Sequence, residues 1–137
     1  MKLKQTLLLL TILISTSTFA EPPSLKTVMM KIGVKTQSIL RGMLNDNFRQ
    51  IAKSAVYVID HPKPANDIPK IKAELGIEMK EFKRIDMLVH DSATGIIEAA
   101  QNEDMEAVAK NFGIMTTNCI ACHDSFRERI RDVLYNN

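Results

Sequence analysis

Apolar residues recur in steps of three and four along most of this 137-residue chain, and no stretch alternates convincingly as a half-buried strand would. That period is the signature of amphipathic helices, and four can be drawn. The first follows Pro22-Pro23 with Ser24 as its N-cap, and carries Leu25, Val28, Met29, Ile32, Thr36, Ile39, Leu40 and Met43 on one stripe. A short Asn45-Asp46-Asn47 turn leads to the second, where Asn47 and Gln50 resemble a capping box. Its apolar face is Phe48, Ile51, Ala52, Ala55, Val56 and Ile59, and Pro62 and Pro64 stop it after about Asp60. The connection from His61 to Ile77 is the longest, with room for a short helical turn over Ile68–Leu75 before Gly76. The third helix spans roughly Glu78 to Gln101 on a stripe of Met79, Phe82, Ile85, Val89, Ala93, Ile96 and Ala100. The fourth starts near Asn102, with Glu103, Asp104 and Glu106 suited to its N-terminal dipole. Amphipathic helices joined by short turns predict an all-α, antiparallel four-helix bundle.

The last stripe runs Met105, Val108, Phe112, Met115, Cys119, Cys122, Phe126, Ile130 and Val133, and so contains the only two cysteines. With His123 they read Cys-Ile-Ala-Cys-His, the attachment signature of a c-type haem. Two thiols bond to the porphyrin and the next residue offers an imidazole to the iron. On a helix, residues at i, i+3 and i+4 project from one face, so Cys119, Cys122 and His123 can serve one ligand. A redox-active disulfide is the first competing reading. It wants the pair near the start of a helix after a strand, whereas this pair lies late in a helical pattern. A structural zinc site is the second. It needs four ligands, and beyond these three the chain adds only the remote His61 and His90. Placed on a core stripe, a covalently attached haem lies inside the bundle. One haem c with its iron is therefore expected per chain, together with an apoprotein loosened in its absence.

Residues 1–20 are read apart from the fold. Lys2 and Lys4, the apolar run Leu7–Ile14 and the small residues ending Thr18-Phe19-Ala20 form a signal peptide with cleavage after Ala20. An uncleaved anchor is the alternative, although the apolar run is short for a span. The expected organisation is residues 1–20 as signal peptide and 21–137 as one domain, exported to the periplasm. Removing Lys2 and Lys4 takes the basic count from 18 to 16, against 16 acidic residues. That balance offers no basic stripe for nucleic acid, and no later stretch is long and apolar enough to span a membrane. No constellation of acid, base and nucleophile is evident, so an enzyme is not expected.

The exported precursor, four helices and one CxxCH late in the last helix resemble the class II c-type cytochromes, the cytochrome c′ family. The segment Cys119-Ile120-Ala121-Cys122-His123-Asp124-Ser125-Phe126-Arg127 is close to the family's usual form, with an aromatic and an arginine at +3 and +4 from the histidine. The resemblance implies that Arg127 sits beside the proximal imidazole, where a solvated helix-end cation is the plain alternative. It also implies one of two states for the iron. One branch leaves it five-coordinate and binds nitric oxide or carbon monoxide. The other supplies a first-helix methionine and carries electrons to redox partner proteins. Val-Met-Met-Lys-Ile-Gly at 28–33 resembles the methionine branch. Met29 shares the stripe of Leu25, Ile32 and Thr36, while Met30 lies about 100° away. Met29 is thus the first choice of sixth ligand and Met30 the second, with core packing of both as the alternative. The family often dimerises through its first two helices, which makes a homodimer an expectation here. His61 is expected to be solvated, and His90 exposed or half-buried. Gly33 and Gly113, inside helices, mark either close approach or simple tolerance. Arg127, Arg129 and Arg131 are read either as a docking patch for an acidic partner or as a solvated face with Glu128 and Asp132.

Overall fold

The computed structural model describes residues 21–136, so the expected signal peptide lies outside the described residues. Five α-helices follow in order: α1 Leu25–Leu44, α2 Phe48–Ile59, α3 Ile68–Leu75, α4 Met79–Gln101 and α5 Met105–Tyr135, with a 3-10 turn at Gly76–Glu78. Among the described residues there is no strand, and no helix is long and apolar enough to cross a membrane.

The helix starts follow their caps. The Ser24 hydroxyl accepts from the Thr27 amide at 3.3 Å, Asn47 from Gln50 at 2.9 Å, and Asp104 from Ala107 at 2.9 Å. Asp104 thereby starts α5 at Met105, because Asn102 and Glu103 form the turn and Glu103 takes a positive φ of 55°. The capping box at Asn47 is half-formed. The Gln50 side chain does not return to Asn47 but donates to the Ser38 carbonyl and hydroxyl, tying α2 to α1. The helical turn expected before Gly76 is a full helix, α3, with a proline tolerated in its first turn. Gly76 ends it at φ +51°, a conformation that glycine adopts without penalty.

Helices α1, α2, α4 and α5 run alternately up and down. α1 packs on α2, α2 on α4 and α4 on α5, while α1 barely meets α5. The helices are also unequal. At 1.5 Å per residue, the 12 residues of α2 reach about 18 Å and the 31 of α5 about 46 Å. Below the reach of α2, α3 packs on the lower part of α5.

The core divides accordingly. An upper cluster beneath the two tight turns joins Ile39, Ile51, Ala55, Val58, Ala93, Ile96, Val108 and Met115. A lower cluster joins Ile71 and Leu75 of α3, Ile85 of α4, and Phe126 and Ile130 of α5. Phe82 and Phe126 meet edge to face there at 5.6 Å, a geometry worth about 0.5–1.5 kcal/mol beyond the buried area.

Two expectations about faces are corrected. Val56 is exposed and α2 buries Val58 and Ser54 instead, because its partners α1 and α4 flank the other side of the stripe. Leu40 is exposed as well. At Gly33 and Gly113 simple tolerance holds, since a Cβ there would meet nothing within 4 Å, and close approach occurs at Gly42 and Gly95 instead.

Candidate haem-binding cleft

The open seam between α1 and α5 forms a cleft of about 460 Å³. One wall is the first turns of α1, with Leu25, Lys26 and Met29. Phe82 and Asp86 of α4 line its back. The other wall is the lower half of α5 and its cap, from Cys122, His123, Phe126 and Arg127 through Ile130 and Arg131 to Tyr135 and Asn136. Leu25, Phe82, Cys122, Phe126 and Ile130 of this lining belong to the lower core cluster or pack on it, so the cleft is a side of the core left uncovered by protein.

Antiparallel register explains which residues meet. Met29 lies 15 residues before the end of α1, about 22 Å below the upper turn. Cys119 to His123 lie 14 to 18 residues into α5, about 21–27 Å below the same end. The motif and the Met29 turn therefore come to one level on facing helices.

The sequence-predicted residues divide clearly. Cys122, His123, Arg127 and Met29 all line the cleft. Met29 is 39% exposed, facing the cleft, while Met30 is 64% exposed and is not among the lining residues. Cys119 sits at the upper edge, half-buried against the upper cluster rather than in the cleft lining. The His123 ring is exposed and makes no hydrogen bond among the described residues. His61 is not simply solvated. It is half-buried, its ring edge-on to that of His90 at 5.6 Å, and His90 Nε2 stands 3.9 Å from Asp86. Neither histidine lines the cleft.

The three arginines also separate. Arg127 and Arg131 line the cleft, whereas Arg129 faces α3 and pairs with Glu74 at 3.2 Å and Glu78 at 3.0 Å. Arg129 clamps the lower helix rather than extending a docking patch. Arg131 is paired locally with Glu128 at 2.9 Å. Lys26, Asp86 and Tyr135 enter the site without having been singled out from the sequence. Their signal was available in the helical register, since Asp86 follows Phe82 by four and Lys26 precedes Met29 by three.

The thiols suit a neutral product. Burial pushes the Cys122 thiol up to about 11 from an ordinary value of 9.0, with the Asp86 carboxylate and Cys119 adding to it. Burial raises Cys119 too, against a lowering backbone hydrogen bond. A surrounding that disfavours the thiolate accommodates a thioether, which carries no charge. Redox-active CxxC sites instead lower a thiol at a helix start, and this pair lies mid-helix. Among the described residues no group of three or more His, Cys, Asp or Glu side chains is placed to hold a metal ion, so nothing supplies the four ligands that the zinc reading needs.

These residues fit haem c. Two neutral thiols and an imidazole share one helix beside an apolar, aromatic-lined cleft. A thioether sulfur stands on the facing wall, and three cations, Lys26, Arg127 and Arg131, outnumber the one acid, Asp86, at the rim. Cationic rims suit the two carboxylates that haem carries.

A family model described as Cytochrome C′ matches residues 44–127. The match takes in α2 to the middle of α5, including Cys119, Cys122, His123 and Arg127, and leaves out Met29 with nearly all of α1. No curated protein matches the chain, and no solved structure does.

Proposed function

The chain belongs to the cytochrome c′ family, whose members bind haem c with its iron, and on that premise we propose that it is an exported, periplasmic electron carrier with Met29 and His123 on its iron. Haem c supplies a metal that takes up and releases one electron at a time. Cys119 and Cys122 hold the ring covalently, and His123 supplies the imidazole on the α5 side. Met29 supplies a thioether from α1, and methionine ligation raises the potential. Holding the same two ligands in both oxidation states keeps reorganisation small. Phe82, Phe126 and Ile130 exclude water from the inner face of the cleft.

The observation that carries this reading is the pairing of Met29 and His123 in one cleft lining, from α1 and α5, with Met30 outside it. Absorption and magnetic-resonance spectra of the oxidised protein test it. Six-coordinate, low-spin iron is expected, with Met29→Leu becoming high-spin at a lowered potential and Met30→Leu keeping the parent spectrum. A resting oxidised protein that is five-coordinate and high-spin overturns it in favour of the family's gas-binding branch, and fast carbon monoxide or nitric oxide binding by the reduced form would then follow.

Arg127, free of ion pairs among the described residues and in the cleft lining next to His123, tunes the imidazole in this reading. The basic rim suits an acidic redox partner, so electron-transfer rates should fall as salt rises. Met30, Val34 and Leu44 leave apolar surface on α1, which supports a homodimer, and sedimentation of the mature protein decides between dimer and monomer.

A further inference from the structure

Met29 is the fifth residue of α1, one turn past a start whose only fully buried side chain is Val28. Its helix packs into the upper cluster through Ile39 and Met43, and below Val28 only Leu25 joins the lower cluster. α1 barely touches α5. The amides at a helix start have no partner within the helix, and two of these are met from distant parts of the chain. Leu25 N donates to Asp67 Oδ2 at 2.6 Å, across 42 residues of sequence. Lys26 N donates to Tyr135 Oη at 3.1 Å, across 109.

Asp67 makes an unusual choice of partner. It occupies the N-cap position of α3, but its carboxylate makes no capping bond there and reaches α1 instead. α1 has no acidic residue in its own first turn. The Asp67 carboxylate therefore provides the negative charge that the positive end of the α1 dipole lacks. Next to it, Asn66 donates to Glu21 at 3.4 Å, so the 60–67 connection also holds the segment leading into α1. Tyr135 is the last residue of α5 and itself lines the cleft.

We propose that Asp67 and Tyr135 are positioning residues for Met29, holding the start of α1 beside α5 so that the thioether of the following turn can serve the iron. This rests on the ligation proposed above. α1 is clamped at its top by the upper core and at its start by these two bonds, with the cleft between. Releasing the start lets the turn swing outward about the upper core, and Met29 leaves first.

The test uses mature holoprotein bearing Asp67→Asn, Tyr135→Phe or, as a control in the upper core, Val108→Ala. Three readouts are taken: the spin state of the oxidised protein, the rate of carbon monoxide binding to the reduced protein, and hydrogen exchange at the Leu25 and Lys26 amides. Carbon monoxide binds only where Met29 has left, so its rate follows that fraction. Exchanging the carboxylate acceptor for a neutral amide oxygen raises it about fivefold for Asp67→Asn, and losing the neutral Tyr135 bond raises it about fivefold for Tyr135→Phe. Both variants also gain high-spin signal and exchange faster at Leu25 and Lys26. Val108→Ala melts earlier but keeps the parent rate. Two results overturn the proposal: parent-like rates in both tether variants, or an equal acceleration in Val108→Ala, which would make the effect general softening. The parent spectrum separates the two readings. A low-spin parent with unaffected variants defeats this inference alone, while a high-spin parent defeats the Met29 ligation and this inference with it.

Discussion

Alanine at Gly42 and alanine at Gly113 should shift stability in opposite directions. Both glycines are helical, and replacing glycine by alanine inside a helix gains about 1 kcal/mol from propensity alone. At Gly113 that gain stands undiminished, since an added Cβ meets nothing within 4 Å. The Thr116 and Thr117 hydroxyls that donate to the Gly113 carbonyl lose nothing. At Gly42 the added Cβ would lie 2.7 Å from Ile51 Cγ1 and 3.3 Å from both the Asn47 carbonyl oxygen and the Ile51 amide. Two of those atoms are backbone, and Ile51 is fully buried and cannot swing away. The Gly42 carbonyl also accepts from Asn45 and Asn47, so the turn that would have to move is hydrogen-bonded to the same residue. Overpacking of this kind costs about 1–3 kcal/mol, which exceeds the propensity gain. The variants should differ by about 2 kcal/mol, with the parent between them. At roughly 4 °C per kcal/mol for a chain of this size, their midpoints should separate by about 8 °C. Thermal melts of the holoproteins followed by far-ultraviolet circular dichroism measure this directly. A Gly42→Ala protein that melts above the parent would refute the close-packing account of the α1–α2 corner.

Three further outcomes follow from the divided core. In a haem-free Cys119→Ser/Cys122→Ser protein, hydrogen exchange should stay slow at Ile51, Ile96 and Val108 of the upper cluster and become fast at Leu25–Met29 and Ile71–Leu75; uniform slow exchange at both ends counts against the haem as part of the lower core. Arg129→Ala should lower the urea midpoint at low salt by releasing α3 from α5, and high salt should narrow the gap; coincident midpoints at low salt would show that the clamp to Glu74 and Glu78 is idle. Tyr57→Phe should leave stability unchanged or raise it by up to about 1 kcal/mol, because the Tyr57 hydroxyl is buried with no hydrogen-bond partner; a clear loss in a chemical-denaturation series would mean that the hydroxyl is satisfied in solution.

Much of the molecule was legible from local rules. The stripes located the bundle helices, and the caps at Ser24 and Asn47 marked two of their starts. Such features depend on residues within a turn or two of one another. The errors are of one kind. Val56 was assigned to the core and Val58 was not, since a 3.6-residue period gives the width of an apolar face but leaves its centre to the neighbouring helices. Of the two readings open at Gly33 and Gly113, simple tolerance holds, while close approach lies at Gly42 and Gly95, because only the partner helix decides which glycine it crosses. Arg129 reads as one of three surface cations until α3 and the turn after it place Glu74 and Glu78 against it.

By itself the sequence determined the helical class and pointed to haem c, because periodicity and the CxxCH spacing both act within a single helix. Only the tertiary structure decided where the uncovered side of the core lies. That depends on a 12-residue α2 beside a 31-residue α5, on α1 standing away from α5, and on the level at which antiparallel helices set Met29 opposite Cys122 and His123. Met29 and Met30 differ in sequence by one position and in the folded chain by which of them meets that cleft. Asp67 and Tyr135 meet the first turn of α1 from 42 and 109 residues away, a separation that no local pattern encodes.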